Sequence, residues 1–294
     1  MHCARYEHAA SRSVRIVLSP SSAGRRHRLR VGAVLALCVL WVSSGGGRAG
    51  APRLAAVPSP HERPRIAAAA NLNFALTAIA AQFARDRGTP VGLIFGASGT
   101  LTRQIQEGAP FELFLSADED FPRQLTAAGL TRDAGAIYAM GRLVLFAPKG
   151  SPLTVDEGLI GLGRLLRSGG VTRFAIANPD VAPYGKAAEA VLKKRGLWDA
   201  IRPQLVLGDT ISQAAQFATT GNAVGGLLAY SIVSSPEIAG RGAFALIPAG
   251  DHAPLRQRMV LLKHAGPIAT QFYEYIRSRT ARAVLRKYGY EVPQ

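Results

Sequence analysis

Four times along this chain, an apolar run with strand character ends in a turn of small or polar residues, and a helix follows the turn. The turns lie at Ala70-Asn71, Ser98, Tyr184-Gly185 and Ile211-Ser212. Each turn places the first N–H groups of a helix beyond the carboxyl edge of a strand, and these groups have no partner inside their helix. Because helix N-termini attract negative charge, the layout predicts one anion site at which the four turns meet.

The same alternation predicts the fold class. Strands that alternate with helices of ten to fifteen residues indicate α/β architecture, with mostly parallel sheets flanked by helices. The pattern starts afresh at the apolar run Leu143–Ala147, which predicts a crossover into a second lobe. We therefore expect one lobe from residues 65–142 and 254–294, a second lobe from residues 143–253, and a ligand cleft between them, outside the carboxyl ends of the strands.

The pattern of the first 64 residues indicates a leader that is not part of this fold. A basic segment, Arg25–Arg30, precedes an apolar run, Val31–Val42, and a tail rich in glycine and serine. This order is typical of a secretory signal peptide, which we assign to residues 1–50, with a linker rich in proline and alanine at 51–64. An uncleaved membrane anchor is the alternative. Both cysteines, Cys3 and Cys38, lie in the leader, so no disulfide and no cysteine metal site is expected in the folded part.

The net charge of +16 does not by itself indicate a nucleic-acid partner. Much of it comes from arginines of the leader, and the remainder is dispersed over predicted helix faces such as Lys193–Arg195. Dispersed charge is typical of solvated surfaces, although a basic surface that attracts anions or a partner remains open. We expect no nucleic-acid partner and a monomer.

An enzymatic interpretation would begin at Ser98, which lies in the run Gly-Ala-Ser-Gly-Thr. A nucleophile elbow would require glycine where Thr100 stands. Beyond the linker, only His252 and His264 could serve as a base. The sequence also has no metal-ligand spacing and no P-loop, so we expect no cofactor and no catalysis, with hydrolysis by Ser98 as a minor alternative.

The electrostatics of the turns favour a small dianion. Four helix N-termini, each with about half a positive charge, together supply about two. The turns hold amides, hydroxyls and backbone donors, and Asp180 and Asp209 are their only charged residues. A site of neutral donors should prefer a fully ionised oxyanion to hydrogen phosphate, because it offers no acceptor for an acidic proton.

Five segments of the chain resemble one known family. They are AAAANLNFAL (67–76), FGASGTLTRQIQEGAPFELFLSAD (95–118), GRLVLFAPK (141–149), IANPDVAPYGKAAEAVL (176–192) and TISQAAQFATTGNA (210–223). In this order they are similar to the periplasmic molybdate-binding proteins of ABC importers, the ModA family, over residues 65–288. The resemblance implies a two-lobed class II periplasmic-binding-protein fold, molybdate or tungstate as the ligand, and a membrane permease as the partner. Another oxyanion, such as sulfate, is the alternative ligand.

The resemblance also implies which residues contact the ligand. The expected contacts are with the oxygens of the anion and not with the metal atom itself. By position, they fall on Ala70 and Asn71 at the first turn, Ser98 at the second, Tyr184 at the third, and the backbone N–H of Ile211 at the fourth. Many members have serine where Asn71 stands, so this contact could use an amide. Tyr230 resembles a tyrosine ligand of some members only weakly, and a core aromatic is the favoured interpretation.

Overall fold

The computed structural model describes residues 63–293. The predicted signal peptide and nearly all of the predicted linker lie outside the described residues. Within the described range, no helix has the length and apolar character needed to cross a membrane.

The first lobe is built on a five-stranded sheet. Its strands are β1 (Arg65–Ala69), β2 (Gly92–Gly96), β3 (Leu113–Leu115), β4 (Ala136–Gly141) and β10 (Leu255–Leu261), in the order β2-β1-β3-β10-β4. Its helices are α1 (Asn73–Arg87), α2 (Ser98–Gln106), α3 (Asp120–Ala127), α9 (Pro267–Ile276) and α10 (Arg279–Lys287), with a 3₁₀ helix at Ala70–Leu72. Apolar side chains of α1, α9 and α10 pack on one face of the sheet, and those of α2 and α3 pack on the other.

The second lobe repeats this plan. Its strands are β5 (Leu143–Pro148), β6 (Phe174–Ala177), β7 (Leu205–Gly208), β8 (Gly225–Ala229) and β9 (Gly242–Leu246), in the order β7-β6-β8-β5-β9. Its helices are α4 (Ile160–Arg167), α5 (Pro183–Lys194), α6 (Trp198–Ile201), α7 (Ile211–Thr219) and α8 (Tyr230–Val233), with 3₁₀ helices at Arg202–Gln204 and Ala249–Asp251.

The two strands that carry the chain between lobes are the reversed ones in their sheets. β5 enters the second lobe and pairs antiparallel with both β8 and β9. β10 returns to the first lobe and pairs antiparallel with both β3 and β4. The remaining strands of each sheet run in one direction, and β1, β2, β6 and β7 all end at the cleft, where helices follow them. This geometry brings helix N-termini from both lobes to the same gap.

Two differences from the predicted elements matter for the site. α5 begins at Pro183 and not at Lys186, and α7 begins at Ile211 and not at Gln213. Proline favours the first helical position because it needs no N–H partner there. The hydroxyl of Thr210 caps α7 by accepting a hydrogen bond from the Gln213 N–H. Tyr184 and Ile211 therefore lie in first helical turns, where backbone N–H groups lack helical partners.

The edge strand β4 was not predicted. It pairs with β10 through a register shift at Gln257 and Arg258, and β10 begins at Leu255, four residues before the predicted strand at Met259. Gly141 at the end of β4 leads directly into the crossover to β5.

Candidate anion-binding site

A small cavity lies between the lobes, at the carboxyl ends of their strands. Its lining consists of Ala69, Ala70, Asn71, Gly96, Ala97, Ser98, Ala117, Ala182, Pro183, Tyr184 and Ile211. The cavity volume is about 10 Å³, far below the ~300–1,000 Å³ of pockets for drug-sized ligands. A larger hollow beside Arg277 and Arg282 is lined by first-lobe residues only, and none of them belongs to these helix N-termini. The cleft cavity therefore suits a small ion.

All five predicted contact residues line this one cavity. Ala70, Asn71 and Ser98 come from the first lobe, whereas Tyr184 and Ile211 come from the second. Each of the five is at most 5% exposed. Residues separated by up to 141 positions in the sequence thus meet at one point, although their contact with a ligand stays a prediction.

The cavity is supplied with backbone donors. The N–H groups of Asn71, Ser98, Tyr184 and Ile211 make no hydrogen bond to any acceptor in residues 63–293. Each belongs to the first turn of a helix, where such groups carry partial positive charge. A buried N–H without a partner is costly, so these four groups call for an acceptor within the cavity.

Ser98 adds a side-chain donor. Its Oγ accepts a hydrogen bond from the Ala117 N–H at 3.1 Å, and it donates to no acceptor among the described residues. Because a hydroxyl has one hydrogen and that hydrogen is not used by the protein, Ser98 can donate it to an anion.

The resemblance suggested that the side-chain amide of Asn71 could contact the ligand. In the structure, this amide donates to other protein groups. Its Nδ2 donates to Gln257 Oε1 at 3.0 Å and to the Tyr290 hydroxyl at 2.8 Å, so both amide hydrogens are used. Its Oδ1 is buried without a partner in the described part of the chain. The side chain caps neither the 3₁₀ helix nor α1. The donor that Asn71 offers the cavity is therefore its backbone N–H.

Tyr184 is buried and neutral. Its side chain is 1% exposed, and its hydroxyl accepts a hydrogen bond from Gln257 Nε2 at 3.2 Å. Burial raises the pKa of Tyr184 well above its ordinary value, and the neighbouring Tyr290 adds to the shift. The phenol thus brings no negative charge to the site. Tyr230 is not in the cavity lining, since its ring packs on Phe244 with centroids 5.5 Å apart.

Three hydrogen bonds to main-chain carbonyls join the lobes around the cavity. Ser212 Oγ donates to the Ala70 carbonyl at 2.9 Å, and Ser231 Oγ donates to the Asn71 carbonyl at 3.2 Å. The third runs the other way, from the Gly99 N–H to the Val181 carbonyl at 2.9 Å. Each lies beside a predicted contact residue, so the described conformation is one in which the lobes meet.

The lining residues carry no charged side chain. Asp118, next to Ala117, is the nearest acid in the sequence, and burial raises its pKa despite hydrogen bonds from Ser116 and Phe121 that lower it. No histidine lines the cavity, which leaves Ser98 without a lining residue to serve as its base. Residues 63–293 contain no group of three or more histidine, aspartate or glutamate side chains placed to hold a metal ion.

Sequence reasoning missed the polar side chains behind the cavity. Gln257, Tyr138, Tyr290 and Ser231 are all buried and link to Asn71 directly or through Gln257. The one available signal was a glutamine on the inward-facing positions of the strand run LRQRMVL.

The molecule has two α/β lobes, and backbone donors surround a small cavity between them. This is the architecture of a solute-binding protein. In agreement, the family of bacterial extracellular solute-binding proteins matches residues 64–291. Among curated relatives, the molybdate-binding protein ModA of Azotobacter vinelandii is 39% identical over 229 residues, which cover 77% of this chain and 88% of the relative. ModA of Rhodobacter capsulatus is 38% identical over 251 residues, or 83% of this chain and 96% of the relative. The chain belongs to the ModA family of bacterial extracellular solute-binding proteins.

Solved structures agree with this assignment. The periplasmic molybdate-binding protein of Azotobacter vinelandii superimposes with a TM-score of 0.72 at 31% identity, covering 79% of this chain and all of that one. The sulfate-binding protein SubI of Mycobacterium tuberculosis has a TM-score of 0.64 at 16% identity, over 78% of this chain and 86% of that one. The second likeness shows the shared fold alone.

Proposed function

We propose that this protein captures molybdate or tungstate between its lobes in the periplasm and delivers it to the permease of an ABC importer. The observation that carries the proposal is the set of four helix N–H groups, at Asn71, Ser98, Tyr184 and Ile211, that share one cavity and lack protein acceptors. The printed names of relatives at 38–39% identity support the choice of oxyanion.

The donors suit a doubly charged tetrahedral anion. Four helix N-termini supply about two positive charges in total, which balances a dianion without a lysine or arginine in contact. The Ser98 hydroxyl provides a fifth donor, and its hydrogen is not used within the described structure. Charge-assisted hydrogen bonds of this kind contribute about 1.5–3 kcal/mol each.

The role is binding and release, without chemistry on the ligand. Hydrogen bonds between the lobes, such as that from Ser212 to Ala70, form only when the cleft is closed. We therefore expect the anion to bind an open form and then to be enclosed by a hinge motion at the crossovers before β5 and β10.

Calorimetric titration of the purified protein with molybdate, tungstate, sulfate and phosphate tests the proposal. We expect one molybdate or tungstate per chain with a dissociation constant at or below the micromolar range, and at least tenfold weaker binding of sulfate and phosphate. Tighter binding of sulfate than of molybdate would assign the site to a different oxyanion. A titration without heat for any of the four anions would contradict the proposed function.

A further inference from the structure

We infer that Gln257 is a positioning residue for the closed state, because its amide joins the Asn71 turn of the first lobe to Tyr184 of the second. The inference rests on the proposed function and goes beyond it, since it concerns how long the ligand is held and not which ligand binds. Gln257 is outside the cavity lining, so its effect would pass through the residues that it contacts.

Gln257 is fully buried on β10, and both ends of its amide form hydrogen bonds. Its Oε1 accepts hydrogen bonds from Asn71 Nδ2 at 3.0 Å and from the Tyr138 hydroxyl at 2.8 Å. Its Nε2 donates to the Tyr184 hydroxyl at 3.2 Å. The amide serves all three partners because it offers both an acceptor and a donor.

The bond to Tyr184 differs from the other two because it crosses between lobes. Asn71, Tyr138 and Gln257 all belong to the first lobe, whereas Tyr184 lies in the first turn of α5 in the second. The same tyrosine contributes one of the cavity N–H groups, so the position of its hydroxyl helps to set the position of that donor. Gln257 therefore ties cavity turns from both lobes to one buried amide.

The main chain makes room for this contact. A Cβ placed on Gly141 would lie 2.3 Å from the Tyr184 hydroxyl oxygen and 2.6 Å from Gln257 Nε2. Gly141 ends β4, immediately before the crossover to β5. The ring of Tyr184 thus reaches across the cleft to the strand at which the chain changes lobes, and the contact is lost when the lobes separate.

A bond that exists only in the closed form should slow ligand release without stabilising the open, ligand-free protein. Removing it should raise the dissociation rate and leave the association rate nearly unchanged, because the encounter takes place with the open form. If the hydrogen bond were only structural, removing it would instead lower the thermal stability of the ligand-free protein.

The test uses Tyr184→Phe, which keeps the ring and the backbone N–H, together with Gln257→Met and the double variant. Stopped-flow measurement of tungstate displacement from the molybdate complex should show release from Tyr184→Phe faster by roughly 3- to 10-fold. For Tyr184→Phe, the association rate and the melting temperature of the ligand-free protein should match those of wild type. Tyr184→Phe should add nothing in the Gln257→Met background, since the two residues share one bond.

Tyr275→Phe is the matched control, because it removes a phenol hydroxyl that bonds to Asp86, on the surface of the first lobe. Its release rate should equal that of wild type. Release from Tyr184→Phe at the wild-type rate, or additive effects in the double variant, would overturn the inference while molybdate binding by the wild-type protein still supported the proposed function. Absence of molybdate binding by the wild-type protein would overturn both.

Discussion

The hydroxyl oxygen of Ser98 accepts a hydrogen bond from the backbone N–H of Ala117, and both residues line the cleft cavity. The hydrogen of this hydroxyl has no acceptor among the described residues and is available for donation. Together with the Ser98 N–H, it gives the start of α2 two donors. We therefore propose Ser98 as the residue at which a side chain and a helix N-terminus both donate to the bound anion.

Ser98→Ala should weaken molybdate binding by roughly 10- to 100-fold, the loss expected for one hydrogen bond to a charged group. The N–H of residue 98 remains, so binding should be reduced and not abolished. Calorimetry gives the dissociation constant. Thr102→Val is the matched control, because it removes a hydroxyl one turn later in the same helix and outside the lining. Equal affinity of Ser98→Ala and wild type would remove Ser98 from the site.

Ile211→Pro should weaken molybdate binding by at least roughly tenfold. Proline is accepted at the first helical position, and the extended backbone of Thr210, with φ −129° and ψ 161°, suits a residue before proline. The substitution therefore deletes one N–H without breaking the helix, and it also removes some side-chain packing, because Ile211 belongs to a buried hydrophobic cluster. Ile211→Val keeps the N–H and should bind as wild type does. If the proline variant bound equally well, the fourth turn would not contact the ligand.

Gly141→Ala should hinder closure of the cleft, because its Cβ would lie 2.3 Å from the hydroxyl oxygen of the buried Tyr184. We expect a loss of molybdate affinity together with a larger radius of gyration in small-angle scattering of the ligand complex. Gly250→Ala is the control, since a Cβ at that position has no atom within 4 Å. A compact, tightly binding Gly141→Ala protein would show that the ring of Tyr184 can move aside without loss.

The free energy of unfolding should fall as pH rises above 3.8, the ordinary pKa of an aspartate, because Asp118 then loses its proton. Burial raises the pKa of Asp118 in the folded state, so the folded protein binds this proton more tightly than the unfolded chain does. The stability that the protonated form contributes is present at low pH and is lost as pH rises through the folded-state pKa. Asp118→Asn keeps an oxygen for Ser116 and Phe121 to contact but has no proton to lose.

Thermal unfolding of wild type and Asp118→Asn between pH 3.5 and pH 7 measures this difference. The stability of wild type relative to the variant should fall with increasing pH and then level off. A relative stability that rose with pH would mean that the hydrogen bonds to the carboxylate outweigh its burial.

The sequence was most informative where local chemistry determines structure. The strand before Asn71, the glycine end of α1 at Gly88 and the small residues around Ser98 are local signals, and the structure has the corresponding strand, helix end and turn. The starts of α5 and α7 were placed too late. Pro183 and Thr210 carry the relevant capping signals, but the predicted helices were begun after the turns that contain Tyr184 and Ile211.

The polar contacts behind the cavity could not be predicted in the same way. Gln257 is a buried polar residue on a strand, and its partners Asn71, Tyr138 and Tyr184 come from three other elements. The direction of the Asn71 amide depends on these partners, which the sequence alone does not identify. Tertiary contacts of this kind leave no periodic signal in the sequence.

The most direct test of the account is a crystal structure of the protein grown with tungstate, with diffraction data collected at the tungsten absorption edge. The account predicts a single strong anomalous peak between the lobes, its oxygens within hydrogen-bond distance of the N–H groups of Asn71, Ser98, Tyr184 and Ile211. A peak elsewhere on the molecule, or a lysine or arginine side chain in contact with the anion, would contradict it.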